Sequence, residues 1–255
     1  MRTPRAALTP NLASTARLQL PPQDALRDGL LASFLQDLPD TERQLLSEAL
    51  AIYSRGSAKP LHPPRALVGS ADAPVRITEF SDILCSHCAN LHQMLAALRA
   101  KLPPGSLAID SRHFPLDPAC NPNVPLKTSD PIHCTAAKAV ICAEQEQRAF
   151  DFAGELFRSQ RALTEEKIYR LAAPFVSREE LAACISDPLT EAALRDDIAW
   201  AMSWDIKGTP LVLVNGRMVP AFPPFLHAIL LAGGDAKHPL FAYLPPAKLR
   251  KPRRR

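Results

Sequence analysis

The sequence predicts an α/β domain in which a β-α-β unit is followed by a block of helices and then by a β-β-α unit. Two segments with strand-like alternation, 75–80 and 107–114, flank a helical pattern, which indicates a parallel pair joined by a crossover helix. Residues 132–204 carry helical patterns alone. The apolar run 211–214 then leads directly into an Asn-Gly turn, a strong hairpin signal.

A helical extension and a linker are predicted to precede this domain, over residues 1–65. Within the extension, residues 24–38 and 41–54 have the apolar spacing of two short helices. The second helix is expected to begin with a capping box, because Thr41 and Gln44 have the required spacing of three.

The main domain is predicted to cover residues 66–247, with its helical insertion at about 115–204. Ser177 and Glu180 have the spacing of a capping box, and Pro174 and Pro188 break the helical stretch. The helices expected in the insertion are 132–158, 164–174, 177–186 and 188–204.

The domain is predicted to end with a hairpin and a helix. The strand 211–214 is joined to a return strand, 217–220, by the Asn-Gly turn. A final helix over residues 223–233 should stop at Gly233-Gly234, because glycine is the usual residue just past a helix end.

Chemistry is indicated by Cys85-Ser86-His87-Cys88, which lies where the first predicted strand gives way to the helix 89–99. Two thiols three positions apart can exchange between a dithiol and a disulfide, and the thiolate is the reactive form. The unpaired N–H groups of a helix start and a neighbouring imidazole both stabilise a thiolate. Cys85 is therefore predicted to attack, and Cys88, farther into the helix, to resolve.

The alternative interpretation of this cysteine pair is a structural disulfide or half of a zinc site. Zinc would need two more ligands at suitable spacing, and the chain has no second C-x-x-C. His87 and His92 are five positions apart, but His87 lies between the two cysteines and cannot belong to an independent second half. We therefore expect no metal, and no cofactor besides the redox-active disulfide.

Several separate motifs lie within residues 66–234. They are Ala73-Pro74-Val75 at the strand start, Glu79-Phe80 inside it, Cys85-x-His87-Cys88, and Gly208-Thr209-Pro210 before an apolar strand. Together they resemble the thioredoxin fold in its DsbA-like version. Residues 113–117 and 120–122 carry a narrower similarity, to the DsbA-like domains found fused to, or acting beside, vitamin K epoxide reductase homologues.

The resemblance implies roles for the residues around the dithiol. His87 corresponds to the histidine that favours the reduced thiolate form in this family and so strengthens the oxidant, whereas Ser86 replaces the proline that is common there. The Thr209-Pro210 bond is expected to be cis, which places the Thr209 backbone beside the reactive sulfur, where it can pair with a substrate strand. Ser86, Thr209 and Pro210 are thus the substrate-binding candidates.

Glu79 is the candidate for handling the proton of the resolving thiol. It lies six residues before Cys85 on a strand predicted to be buried, and the family has an acid at this position. A buried carboxylate there can accept or relay a proton. A Glu79 that faces water at the strand end is the alternative, and Asp82, nearer the loop, is the second candidate for the same role.

The activity implied by the resemblance is thiol:disulfide exchange with protein thiols through a mixed disulfide at Cys85. We expect an oxidant that is reoxidised by a quinone-linked membrane partner, either DsbB-like or similar to vitamin K epoxide reductase. The reduction potentials of thioredoxin and DsbA differ by about 150 mV, so the same architecture can also reduce. A thioredoxin-like reductase and a non-catalytic peptide-binding module with a structural disulfide are therefore the alternatives.

Four further cysteines are candidates for structural disulfides. Cys120 and Cys134 bracket a proline-rich loop, and a bond between them would contribute about 3 kcal/mol in the chain-entropy model. A second redox pair formed by the same two residues is the alternative. Cys142 and Cys184 lie on different predicted helices, so they are either a second bond worth about 4 kcal/mol or two buried small side chains.

The compartment is predicted to be the periplasm or another extracytoplasmic space, because six pairable cysteines suit oxidising conditions. The N-terminus has no hydrophobic segment typical of a secretory signal, which makes the cytoplasm the alternative. The chain has no apolar run long enough to predict a transmembrane segment. Six of its positive charges fall in residues 248–255, which are predicted to be a disordered solvated tail rather than a nucleic-acid site.

Overall fold

The fold is built around one five-stranded mixed sheet, seen in a computed structural model that describes residues 23–65, 67–125, 129–144 and 147–248. The first 22 residues and most of the predicted basic tail, residues 249–255, lie outside the described residues. The strands are β1 (Leu67–Gly69), β2 (Val75–Ser81), β3 (Leu107–His113), β4 (Leu211–Val214) and β5 (Arg217–Val219).

The strand order in the sheet is β1-β3-β2-β4-β5. The two predicted strands β2 and β3 pair in parallel, with Ile77 opposite Ile109, and β4 pairs antiparallel to β2. The edge strand β1 was not predicted; its three residues pair antiparallel with β3. Such a short strand has no pattern of its own and is defined by its neighbour.

The hairpin between β4 and β5 has the predicted Asn-Gly turn. Asn215 and Gly216 both have positive φ, 47° and 73°, as this turn requires. A side chain at Gly216 would also collide with the Lys59 carbonyl oxygen, because a Cβ there would lie 2.3 Å from it. The hairpin prediction is confirmed, and the Lys59 N–H of the linker before β1 donates to the Gly216 carbonyl of this turn.

Three helices outside the insertion cover one face of the sheet together with the crossover helix. The buried faces of all four share a single apolar core with Ile77, Ile109 and Val214. The helices are α1 (Gln23–Asp37), α2 (Asp40–Arg55), α3 (Ser86–Lys101) and α9 (Pro223–Leu231). The predicted N-terminal helices are therefore packed on the same core as the sheet.

The start of α2 differs from the prediction. The residue before the helix is Pro39, which offers no side-chain cap, and α2 begins at Asp40 rather than behind a Thr41 capping box. The Gln44 amide instead donates to Glu48 Oε1 at 3.1 Å and to the Pro246 carbonyl at 3.2 Å. The capping-box prediction for α2 is wrong because the Gln44 side chain hydrogen-bonds to the C-terminal segment instead of to the helix start.

The insertion between β3 and β4 forms five α-helices within its described residues and covers the other face of the sheet. The predicted helix 132–158 is in fact two helices, because the chain turns after Cys142 and Gln147 adopts a left-handed φ of 54°. The predicted capping box of Ser177 and Glu180 is present in both hydrogen bonds. The helices are α4 (Ile132–Cys142), α5 (Ala149–Ser159), α6 (Glu165–Ala172), α7 (Arg178–Ile185) and α8 (Pro188–Met202).

The break between α4 and α5 has a packing reason. It directs Phe150 and Phe157 of α5 onto α3, where their rings lie 4.1 Å and 5.1 Å from the His92 ring. The break therefore brings the insertion against the helix that follows the dithiol.

Candidate active site

The dithiol lies at the N-terminus of α3. Strand β2 ends at Ser81, and the turn that follows is closed by a hydrogen bond from the Cys85 N–H to the Asp82 carbonyl at 3.1 Å. Cys85 is the N-cap residue of α3 and is half-buried, whereas Cys88, in the first turn, is fully buried. One sulfur is thus accessible to another protein, and the other is accessible only to the first.

The second part of the site comes from the segment before β4. The Thr209–Pro210 peptide bond is cis, and the Thr209 carbonyl oxygen lies 3.5 Å from Cys85 Sγ. Residues 80 and 211 are paired in the sheet, so β2 and β4 together hold the dithiol and this loop side by side.

The thiol environments differ sharply between the two cysteines. The pKa of Cys85 is lowered to about 5, chiefly by the hydrogen bond from the Cys88 thiol, and the backbone N–H groups of His87 and Cys88 add to this against the opposing effect of burial. The pKa of Cys88 is strongly raised, first by that same hydrogen bond and then by burial. Near neutral pH, Cys85 is a thiolate and Cys88 is a thiol.

An apolar groove of about 450 Å³ adjoins the dithiol. His87 and Pro210 both line it, whereas Ser86, which is exposed in the first turn of α3, does not. The groove is lined by His87, Asn90, Leu91, Met94, Thr209, Pro210, Ala221 and Pro223.

Glu79 is buried in β2, with 1% of its surface exposed. Its Oε1 accepts a hydrogen bond from Ser111 Oγ at 2.9 Å and lies 3.9 Å from Nδ1 of His92 on α3. Its Oε2 has no hydrogen-bond partner among the described residues. Glu79 therefore does not face water at the strand end, and one of its oxygens is unused.

Asp82 is also buried, but its carboxylate is fully occupied. It accepts hydrogen bonds from the N–H groups of Leu84 and Leu116, both at 2.6 Å, and it lies 2.7 Å from His133 Nδ1. The hydrogen bond to Asp82 raises the pKa of His133. These contacts tie the turn before Cys85 to the insertion, which is a structural task.

The other four cysteines form two disulfide bonds in the structure. Cys120 is joined to Cys134, at the start of α4, and Cys142 is joined to Cys184, which links α4 to α7. Cys85 and Cys88 are both free. Cys85 and Cys88, at the start of α3, are therefore the two cysteines that are in the thiol form.

Two histidines in this region were missed as site residues. The i, i+4 spacing of Cys88 and His92 predicts one face of α3, but the proximity of Glu79 depends on the sheet. His133 is 51 residues from Asp82, and no sequence signal joins them. The predicted residues Cys85, Cys88, His87, Thr209 and Pro210 are brought together.

None of the helices within the described ranges combines the length and the apolar character that crossing a bilayer requires.

The chain matches one protein-family model and is similar in part to longer proteins. A family model described as Thioredoxin matches residues 62–224. The Na(+)/H(+) antiporter NhaA 1 proteins of Mycolicibacterium gilvum and Mycolicibacterium vanbaalenii are each 27% identical, over 163 and 162 residues, or 62% of this chain. The chain spans about a quarter of the length of these relatives, 25% and 24%.

Solved structures share the fold. The alpha-DsbA1 of Wolbachia pipientis is 23% identical with a TM-score of 0.51, covering 61% of this chain and 76% of that one. Oxidised BdbD of Bacillus subtilis is 18% identical with a TM-score of 0.55, covering 68% and 92%. DsbA of Xylella fastidiosa is 18% identical with a TM-score of 0.50, covering 71% and 91%. The predicted DsbA-like thioredoxin fold with a helical insertion is confirmed.

Proposed function

This chain belongs to the thioredoxin family, and we propose that it is a DsbA-like thiol:disulfide oxidoreductase that oxidises protein thiols with its Cys85–Cys88 disulfide. The observation that carries this proposal is the lowered pKa of Cys85, about 5, at a half-exposed helix N-terminus beside a buried partner thiol. A sulfur of this kind is both a good point of attack and a good leaving group.

In the first step, a client thiolate attacks Cys85 Sγ and the Cys85–Cys88 bond breaks. A mixed disulfide joins the client to Cys85, and Cys88 leaves as a thiolate. Because the pKa of Cys88 is strongly raised, this thiolate takes up one proton. An extended client segment would pair with the backbone at Thr209, with its side chains in the groove beside Pro210.

In the second step, the other client thiol loses its proton to solvent, and its sulfur attacks the client sulfur of the mixed disulfide. Cys85 leaves as a stable thiolate and needs no proton. The client loses two electrons and two protons, and the protein gains two electrons and one proton, the other proton passing to water. The client disulfide and the reduced Cys85–Cys88 pair are the products.

The oxidising direction follows from the stabilised thiolate. Whatever stabilises the reduced form relative to the disulfide raises the reduction potential, and a thiolate with a pKa near 5 does so at neutral pH. A thioredoxin-like reductase would need the opposite balance. The proposed direction therefore depends on Cys85 and not on the overall fold.

Reoxidation is proposed to occur through a quinone-linked membrane partner, DsbB-like or similar to vitamin K epoxide reductase, in an extracytoplasmic compartment. The disulfides Cys120–Cys134 and Cys142–Cys184 support this compartment, because structural disulfides persist under oxidising conditions. This chain matches only about a quarter of the antiporter sequences, and their name identifies neither a client nor a redox partner for that part.

The decisive experiment measures the Cys85 pKa by thiolate absorbance and the reduction potential by equilibration with glutathione. We expect a pKa near 5 and a potential far above that of thioredoxin. A pKa near 8.5 with a thioredoxin-like potential would overturn the oxidase proposal in favour of a reductase. A Cys85→Ser variant that oxidises a reduced client as fast as wild type would instead indicate a binding module with a structural disulfide.

A further inference from the structure

The environment of His92 is unusual for a buried histidine. The side chain is 7% exposed, and its Nδ1 has no hydrogen-bond partner among the described residues. The rings of Phe150 and Phe157 pack against it from α5. Buried polar nitrogens are normally paired, so an unpaired one calls for an explanation.

The unpaired nitrogen faces an underused carboxylate. His92 Nδ1 lies 3.9 Å from Glu79 Oε1, within ion-pair distance but longer than a hydrogen bond, and Glu79 Oε2 has no partner in the described ranges. The only hydrogen bond to this carboxylate comes from Ser111 Oγ, among the residues that the structure describes. His113 is also near Glu79, but both of its ring nitrogens are buried and have no partner among the described residues, so this ring has no contact with solvent. His92 is the histidine beside Glu79 that also lines a cavity.

The other side of the imidazole faces a cavity. His92 lines a space of about 530 Å³ between α3 and α5, whose charged lining residues are Arg148, Asp151, Glu155 and Arg158. The approach to Nε2 passes Gly154 of α5, where a Cβ would lie only 3.1 Å from that nitrogen. A glycine at this point leaves Nε2 open toward the cavity.

His92 also lies next to the resolving cysteine. Cys88 and His92 are four positions apart on α3, so they are neighbours on the same face of the helix. Glu79 therefore approaches the face of α3 that carries both residues. Strand β2 and helices α3 and α5 thus bring Glu79, His92 and the cavity together, one helical turn from Cys88.

We propose that His92 is a positioning and proton-relay residue that acts through Glu79 and connects the buried acid to the cavity between α3 and α5. This rests on the proposed function. When Cys88 leaves as a thiolate, Glu79 gives it one proton. His92 Nε2 then takes a proton from solvent in the cavity, and the imidazolium gives its Nδ1 proton to Glu79. The reverse transfer, when the pair is reoxidised and Cys88 loses its proton, restores the first tautomer. One proton enters from water, one ends on Cys88, and no electron moves in the relay.

The test is the single-turnover rate at which the oxidised protein oxidises a dithiol peptide, measured from pH 5 to 8 for His92→Gln and wild type. We expect a loss of about tenfold at pH 7, since positioned proton transfer contributes at least that much. The ratio of variant to wild-type rate should change with pH, whereas the Cys85 pKa should stay the same. His227→Gln is the matched control, because this half-buried histidine packs on Phe34 of α1.

Two further variants separate a relay from a packing role. Gly154→Ala keeps the imidazole and should slow the same step by covering Nε2. In a Glu79→Gln background, His92→Gln should cause no further loss. A pH-independent loss, or an equal loss in both backgrounds, would overturn the relay.

The outcomes for the relay and for the proposed function are distinguishable. If wild type oxidises the peptide and the rate of His92→Gln has the same pH dependence as the wild-type rate, the relay alone is refuted. Wild type that does not oxidise the dithiol peptide refutes the proposed function, and the relay with it.

Discussion

The two redox sulfurs lie three residues apart and have opposite environments. The Cys88 thiol donates to the Cys85 thiolate, so the lowered pKa of one and the raised pKa of the other describe the same hydrogen bond. The two pKa shifts therefore report one interaction, and its free energy must not be added once for each cysteine. This interaction is the largest single cause of the lowered Cys85 pKa, ahead of the backbone N–H group of Cys88 and that of His87.

This dependence predicts how Cys85 responds to changes at position 88. Cys88→Ala removes the donor and should raise the Cys85 pKa by roughly 1–2 pH units. Cys88→Ser keeps a hydroxyl donor and should raise it less. Thiolate absorbance during a pH titration measures both values. If Cys88→Ala titrates like wild type, the helix N-terminus alone stabilises the thiolate.

For single residues, the sequence predicts those whose role depends on neighbours in the sequence. Cys85, Cys88 and His87 are marked by their spacing at a strand-to-helix junction, and Thr209-Pro210 by its place before an apolar strand. The pairing of Asp82 with His133 and of Glu79 with His92 requires the sheet and the insertion to be assembled first. The sequence therefore predicts the reactive sulfurs but not what surrounds the carboxylates.

At the scale of helices and strands, a buried ion network joins the linker, β3 and α8. Asp197 of α8 is fully buried and accepts two hydrogen bonds from Arg65, both at 2.8 Å, and one from Arg112 at 3.1 Å. The His113 N–H donates to the same carboxylate at 3.1 Å. The network fixes α8 of the insertion to β3 and to the linker.

Removing the shared carboxylate should be costly. Asp197→Ala leaves Arg65 and Arg112 without this partner, and breaking a buried pair typically costs about 3–5 kcal/mol. The free energy of unfolding from urea titration measures the loss. The exposed neighbour Asp196 provides the matched control, because Asp196→Ala should change it by less than about 0.5 kcal/mol. Equal effects of the two changes would contradict a stabilising role for the network.

Elements were predictable where the signal is local. The turn at Asn215-Gly216 and the capping box of Ser177 depend on a few adjacent residues, and both are present. Strand β1 and the break at Gln147 depend on partners far away in the sequence. The absence of a capping box at Thr41 has the same cause, since Gln44 binds the segment near Pro246.

For the molecule as a whole, the thiolate couples redox state to stability. The pKa of Cys85 is about 5 in the folded protein, below its ordinary value of 9.0, so its contribution is fully present above about pH 9. The contribution falls as the pH drops from 9 and is lost below about pH 5. Below about pH 5 the reduced protein therefore no longer gains stability from the Cys85 thiolate.

We therefore expect the reduced wild type to melt higher than a reduced Cys85→Ala variant at pH 7, and this gap to close by pH 4.5. Because Cys85 is half exposed, solvent screening limits the contribution to about 1 kcal/mol, or roughly 2–4 °C at pH 7. Thermal melts of both proteins across this pH range measure the gap. A constant gap would show that the difference arises from packing rather than from ionisation.

The packing of α1 and α2 has a consequence for any shortened version of the protein. The family match covers residues 62–224 and so omits both helices and most of α9, whose Phe225 and Leu226 share a core with Leu46 and Tyr53. A fragment cut at the limits of similarity would expose that apolar surface, and we expect it to aggregate. The shared core reaches from Leu31 of α1 to Leu244, so the segment that should be produced together is larger than the segment that the family model matches.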